Sequence, residues 1–469
     1  MEDIALFGAG RELQKYIDLL GTLGIQPLCI ADNSPDKWGE RTGGIKVVTP
    51  EDLRDMECKI MISCAFVNEI TEQLDSMGLG KRLIDYQTLF RQSVEDYAEK
   101  NQFGRTKAQF NKKESVLIDA FDGIGWGGIE IWSYQVGAGL KNRGYNVTIY
   151  GSDWQERQCA ETEEMITRFV LQRDDFWDTV NQLLPDMEKK LPFVLVNNWT
   201  EHAFVAAYLL KTKNPREVRI VSVIHNDWDV LYRKQAVWKD CFERFAGVSR
   251  SIASNLVSKC EIDNNRVCYK ENFVKLPGMS YKKNVCEGGS IRISWGARLE
   301  ILQKRADLLP EFIDYLENEG IDYIFEIAGD GPCMELLESY VAKYELEHRV
   351  HILGSLKPEE MPLFWQAQDI YINLSEFEGA SLAMLEAMSY GVVPVVTNVS
   401  GANEFITNGE NGYLVPIGSI GQVASCIESL SKDIMTRKRF SENCMKIVHE
   451  KCGINEYLDY IEKDLLFSK

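Results

Sequence analysis

The chain has 469 residues, 45% hydrophobic and 26% charged, an ordinary globular composition that excludes a disordered, collagenous or disulfide-stapled chain. At roughly 150 residues per domain, that length holds about three domains. With 52 Lys+Arg against 71 Asp+Glu the formal net charge is −19, which repels phosphate polymers and argues against a nucleic-acid partner.

No apolar run reaches the roughly 18 residues that span a bilayer, and the opening Met1-Glu2-Asp3 lacks the basic flank of a secretory signal, so a cytoplasmic chain is expected. The 12 cysteines stand singly, without a C-x-x-C pair or a Cys/His cluster at zinc spacing, and the 5 histidines are equally dispersed. Reduced thiols and no metal site are expected.

In chain order, short apolar runs at 4–7, 27–31 and 59–64 alternate with an amphipathic stretch from Arg11, which is the βαβ rhythm of a parallel sheet. Gly8-Ala9-Gly10 follows the first strand and Asp32 the second, but Leu13 stands where a third small residue should let the helix approach, so the NAD fingerprint is incomplete. Residues 1–98 form this first unit, and polar residues 99–113 read as a linker. A second unit, 114–287, restarts with a strand at 116–121, a glycine-rich turn, a helix through Leu140, and strands at 147–150, 193–197, 219–225 and 245–248. A third, 288–452, carries strands at 291–295, 324–328, 349–353, 370–374 and 392–397. Residues 453–469 read as a helix packing back on the second unit. The fold class is α/β, three Rossmann-like units in tandem.

The densest pattern runs over 370–391, IYINLSEFEGASLAMLEAMSYG. A strand ends, Glu378 and Gly379 occupy the turn, and a helix begins near Ser381 or Leu382. The backbone N–H groups of Gly379, Ala380, Ser381 and Leu382 then lie at a helix N-terminus, which favours an anion such as phosphate. Glu386 sits among Met384, Leu385, Ala387 and Met388 in an apolar helix, where a carboxylate needs donors: a ribose diol supplies two, and a core Arg or Lys is the alternative. Upstream, Arg298 and Lys304 follow the strand at 291–295, two cations at the carboxyl end of a parallel strand, suited to a diphosphate.

These residues, with Gly329-Asp330-Gly331-Pro332, Ser400-Gly401-x-x-Glu404 and Asn411-Gly412-Tyr413-Leu414-Val415, resemble the retaining family-4 glycosyltransferases of the GT-B fold over 114 to about 415. The resemblance implies two facing Rossmann-like domains, an acceptor-side one at 114–287 and a nucleotide-sugar one at 288–452. It gives Glu378 contact with the transferred sugar, Glu386 the ribose, and Arg298 and Lys304 the diphosphate, with Gly329 lining the donor site. Family members often place the lysine five residues after the arginine; here the gap is six. Gly127 and Gly128 are implied to face the diphosphate across the cleft, where the alternative is a plain tight turn. His225, at a strand end, is implied to position the sugar and support the oxyanion, with the general base left open; the bland alternative is a structural hydrogen-bonder.

The activity implied by the resemblance is transfer of a hexosyl group from a nucleotide sugar, UDP-linked, to a hydroxyl of a glycan or lipid-linked glycan in cell-surface polysaccharide synthesis. Retention of configuration and no cofactor or metal are part of the same implication. Alternatives are a sugar-nucleotide epimerase or phosphorylase on the same fold and a non-catalytic partner subunit. Lys211, Lys213, Arg216 and Arg219 form a basic stretch, a solvated face or a contact with the inner membrane surface, and self-association is compatible with the reading. The first unit resembles the small Rossmann-like domain attached to capsule-biosynthesis sugar acyltransferases, with a sugar-nucleotide or a purely architectural role.

Overall fold

The computed structural model describes residues 3–64, 66–101, 115–120, 127–152, 166–169, 176–198, 201–278, 280–285 and 288–466. The first sheet holds β1 (Ile4–Phe7), β2 (Cys29–Ala31), β3 (Arg41–Thr42), β4 (Ile45–Val48) and β5 (Lys59–Ile62) in the order β3-β4-β2-β1-β5. The second holds β6 (Ser115–Ala120), β7 (Asn146–Ser152), β8 (Ile166–Phe169), β9 (Phe193–Asn197), β10 (Val218–Ile224), β11 (Arg244–Gly247) and β12 (Val267–Tyr269), in the order β12-β11-β10-β9-β6-β7-β8. The third holds β13 (Ile291–Gly296), β14 (Tyr323–Ala328), β15 (Val350–Gly354), β16 (Ile370–Asn373), β17 (Val393–Thr397) and β18 (Tyr413–Val415), in the order β15-β14-β13-β16-β17-β18.

All ladders among the described residues are parallel except β3 against β4. Continuous apolar strands such as FVLVN and VPVVT are buried along their whole length, as a parallel sheet covered by helices on both faces requires. The short edge strands β3, β8, β12 and β18 carry too little periodicity to be read from sequence.

The helix Tyr86–Lys100 changes the expected division of the chain. Asp85 caps it, accepting the Thr88 N–H at 3.1 Å, and Leu89, Phe90 and Val94 form its buried face. That face lies on the second unit: Phe90 meets Phe176 edge-on at 5.4 Å and Trp238 at 6.0 Å, and Tyr97 stacks on Trp177 at 3.8 Å. Leu6, Leu20 and Ile30 of the first sheet join Phe90, Val194 and Phe204 in one continuous core. Residues 86–98 of the expected first unit thus lie in an amphipathic helix whose buried face packs on the second unit. Residues 102–113 of the expected linker lie outside the described residues.

At the other end the chain recrosses. The helix Ile434–Lys451 packs on Leu382–Ser389 under the third sheet, whereas Ile454–Tyr460 and the π-helical turn Ile461–Leu466 bury Tyr457, Leu458, Leu465 and Leu466 in the second unit's core. Tyr457 Oη accepts the Trp132 indole N–H at 2.9 Å, and Arg143 pairs with Asp459 at 2.8 Å and with Glu462. Where the two crossings meet, the Val274 N–H donates to the Cys452 carbonyl at 3.2 Å.

Candidate active site

Strand order reverses between β13 and β16 in the third sheet and between β9 and β6 in the second. Crevices beyond the carboxyl ends of strands at such reversals are where open α/β sheets take ligands. The two crevices face each other: a Cβ on Gly128, first residue of the helix Gly128–Asn142, would lie 3.5 Å from Leu382 Cδ1, first residue of the helix Leu382–Ser389.

On the third sheet, Arg298 is exposed just after β13, its guanidinium 3.4 Å from Gln303 Oε1 and without a carboxylate partner among the described residues. Lys304 instead pairs with Glu378 Oε1. The longer loop thus delivers the lysine to the glutamate, while Gln303 takes the place five residues after Arg298. Gln303 is 8% exposed and donates to Glu378 Oε2 at 3.2 Å and to Asn226 Oδ1 at 3.3 Å. Sequence reasoning does not single it out, although the lysine spacing points to its position. Ser375 Oγ at 2.8 Å and Asn373 Nδ2 at 3.4 Å complete the donors around Glu378, which is 4% exposed. A carboxylate this deep persists because both oxygens have donors and the charge has a cation.

Ser381 caps the next helix, its Oγ accepting the Met384 N–H at 3.3 Å, and the N–H groups of Leu382 and Ala383 meet no acceptor among the described residues. Gly379 is demanded by close approach, since a Cβ there would sit 1.9 Å from the His225 carbonyl oxygen. Gly329 is equally constrained, 1.9 Å from the Ala297 carbonyl, so this glycine holds the Arg298 loop from behind. One turn into the helix, Glu386 receives the Trp365 indole N–H at 3.4 Å. Burial, weakly opposed by that bond, pushes its carboxyl up to about 7. It forms no ion pair among the described residues, so the alternative of a core cation is not realised there. Trp365 reaches this place because Gly296 leaves room; a Cβ there would be 2.5 Å from the indole.

On the second sheet, Gly127 caps the helix Gly128–Asn142; Gly123 and Gly125 lie outside the described residues. His225 follows β10, its Nε2 3.0 Å from Asn198 Oδ1 and its ring edge-on to Trp132 at 5.0 Å. Burial pushes the imidazole down to about 3, so it is neutral, with Nε2 facing Asn198. Lys211 pairs with Glu243 at 2.5 Å and Lys213 with Glu188 at 2.9 Å, so these two lysines of the basic stretch are neutralised within their own domain.

The cleft is closed around these groups. Asn226 bridges Gly379, the Asp227 N–H donates to the Glu378 carbonyl at 3.2 Å, and Trp228 stacks on Phe377 at 5.7 Å. Ser400 Oγ meets the N-cap Ser249 Oγ at 2.9 Å, and Glu404 accepts the Arg250 N–H at 2.6 Å at the start of the helix Arg250–Ser258 of the opposite domain. In the first sheet the Asp32 carboxylate is bonded within its own unit. Asp32 accepts the Ala9 N–H at 2.6 Å and the Ser34 N–H at 2.8 Å beside Lys37, and although burial acts the other way these bonds hold its carboxyl below the usual range. No oxygen of Asp32 is left waiting for a ribose.

Two Rossmann-like sheets closing on a shared cleft, with a helix N-terminus, a cation and a carboxylate pair at the reversal points, define a GT-B arrangement. Residues 126–276 match the Glycosyltransferase Family 4 model and 296–446 the Glycosyl transferases group 1 model, so the facing domains are of the group 1 and family 4-like glycosyltransferase type. Residues 1–84 match the C2185-like, N-terminal model. The chain is 30% identical over 140 residues to the alpha-D-kanosaminyltransferase of Streptomyces kanamyceticus, covering 30% of this chain and 36% of that one. It is 24% identical over 353 residues to the capsular polysaccharide biosynthesis glycosyltransferase CapM of Staphylococcus aureus, covering 66% and 87%. The solved structure of Anabaena HepE in complex with UDP-glucose superposes with a TM-score of 0.60 at 16% identity, over 75% of this chain and 98% of that one. Against the first curated relatives the match spans 34 to 38% of their length. Among the described residues, no helix is long and apolar enough to cross a membrane.

Proposed function

We propose that the protein transfers a hexosyl group from a UDP-sugar to a hydroxyl of a glycan or lipid-linked glycan, with retention of configuration and without a metal, in polysaccharide assembly. The observation that carries this reading is the convergence of Arg298, Lys304, Glu378, Glu386 and a free helix N-terminus at one strand-order reversal, under a closing second domain. In this reading the diphosphate lies at the N–H groups of Leu382 and Ala383 and against Arg298, and the ribose diol donates to Glu386. Diphosphate binding gives Lys304 a second anion to serve besides Glu378, and Glu378 faces the sugar. The bond from C1 to the β-phosphate oxygen breaks, the acceptor oxygen bonds to C1 on the same face, and the acceptor proton passes to the departing phosphate. Fixed donors aimed at the phosphate supply the stabilisation. Polysaccharide assembly is supported by what CapM is named for. The first unit, its Asp32 carboxylate bonded to Ala9, Ser34 and Lys37, serves as scaffold.

The test is a panel of UDP-, GDP-, ADP- and dTDP-sugars incubated with purified protein and EDTA, following sugar release by NMR. Release from a UDP-sugar with α-anomeric product is expected. Dependence on Mn²⁺, inverted product or interconversion of sugar nucleotides without an acceptor would overturn the reading.

A further inference from the structure

The sequence points to His225 but not to what fixes it. Asn198, one residue beyond β9 and 7% exposed, is bound at both ends of its side-chain amide. Its Nδ2 donates to the Asp119 carbonyl at 2.7 Å and to Ser133 Oγ at 2.9 Å. A carbonyl only accepts, and the Ser133 hydroxyl spends its proton on the Ile129 carbonyl at 2.8 Å, so both partners demand hydrogens from the amide. Nδ2 therefore faces these two groups and Oδ1 faces His225 Nε2 at 3.0 Å. The amide cannot flip without setting its oxygen against two acceptors and its nitrogen against the imidazole.

The frame around Asn198 is equally determined. Asp119 is fully buried at the end of β6; its carboxylate accepts the Asn198 N–H and, at 2.6 Å, Asn197 Nδ2. These bonds join the ends of β6 and β9 at the strand-order reversal. From the opposite side, the Trp132 ring packs edge-on to His225 while its own N–H is taken by Tyr457 of the C-terminal helix.

We propose that Asn198, oriented by the Asp119 carbonyl and Ser133, is a positioning residue that holds His225 as the Nε2–H tautomer and leaves Nδ1 unprotonated. This assigns a role to Asn198, Asp119 and Ser133 in setting which ring nitrogen of His225 accepts. It rests on the transferase reading for its catalytic consequence and stands apart from it for its chemistry.

The experiment is long-range proton–nitrogen correlation NMR on full-length protein with ¹⁵N-labelled histidine, without sugar nucleotide, assigning His225 from the spectrum of H225Q. A neutral ring with a bare Nδ1 is expected; a bare Nε2 or an imidazolium overturns the proposal, whatever the enzyme acts on. Asn198→Ala should shift the His225 signals to a mixture of tautomers and lower turnover about tenfold with donor KM changed less. Ser133→Ala, which keeps the Asp119 contact, should move both in the same direction and by less, and it stands in if the first variant does not fold. Unchanged His225 signals in a folded variant, with or without loss of turnover, overturn the positioning role. A confirmed tautomer with no sugar nucleotide consumed would instead refute the proposed function and leave this inference intact.

Discussion

Glu386 should make the ligand-free protein less stable as pH rises. Its carboxyl sits at about 7, against an ordinary glutamate near 4.5 in the unfolded chain. Folding thus favours the protonated form. The contribution is fully present below the unfolded value and is lost as pH rises from there through about 7, a loss of about 3 kcal/mol once the group is ionised in both states. Glu386→Gln keeps the shape, removes the charge and abolishes this dependence. Urea unfolding of the two proteins should show nearly constant offset below about pH 4 and a relative gain for the variant of about 2 to 3 kcal/mol by pH 8. The same charge is what a ribose diol would use. Calorimetric titration of UDP near pH 7 in two buffers of different ionisation heat should then reveal release of about half a proton per nucleotide, absent in the variant. An offset equal at pH 5 and pH 8, with no proton linked to UDP binding, would refute the account of Glu386 as an uncompensated carboxylate awaiting donors.

Arg298→Ala should weaken UDP binding by about 1.5 to 3 kcal/mol and leave the melting temperature unchanged, because the guanidinium holds no carboxylate among the described residues; calorimetry and thermal melts check both halves. Gly379→Ala places a methyl against the His225 carbonyl, so the cleft should be unable to close and turnover should fall about a hundredfold, read in the sugar-release assay; normal turnover would show that the contact is not used. Removing residues 1–110 should expose the surface that Phe90 covers on Phe176 and Trp238 and give aggregated protein on size-exclusion chromatography, whereas removal of 1–84 alone should retain more monomer.

Much of the fold is legible in the sequence because its central strands are apolar throughout and flanked by clear turns: β9 is readable residue for residue at 193–197, and β13 to within one residue. The glutamate pair is legible because both members lie on one strand–turn–helix segment, where spacing alone determines their relation. Gln303, Trp365 and Asn198 are not, since each meets its partner through a sheet order that local sequence does not encode. The helix Tyr86–Lys100 shows the same limit. Its amphipathic pattern announces a buried face without saying whose core receives it, and the polar residues after it suggest a boundary that the packing of Phe90 and Tyr97 moves. His225 illustrates a subtler gap. Residue type and position suggest sugar positioning with the general base left open, while the neighbour that faces Nε2, Asn198, comes from a different strand end.

The double crossing of the chain has a mechanical meaning. Two connections run between the third sheet and the rest of the molecule, one near Val274 and one at Cys452, and a backbone hydrogen bond ties them together. Two tethers pinned side by side act as a door hinge, permitting rotation about one axis while resisting translation and twist. The leaf that carries β6 to β12 also carries the first sheet, through Tyr86–Lys100, and the final helix, through Tyr457. An opening of the cleft about that axis would swing the third sheet as a light leaf against a single heavy body of two sheets. Gly379 meets His225, Glu404 meets Arg250 and Leu382 meets Gly128 across the cleft, so rotation about that axis would part or join all three contacts together.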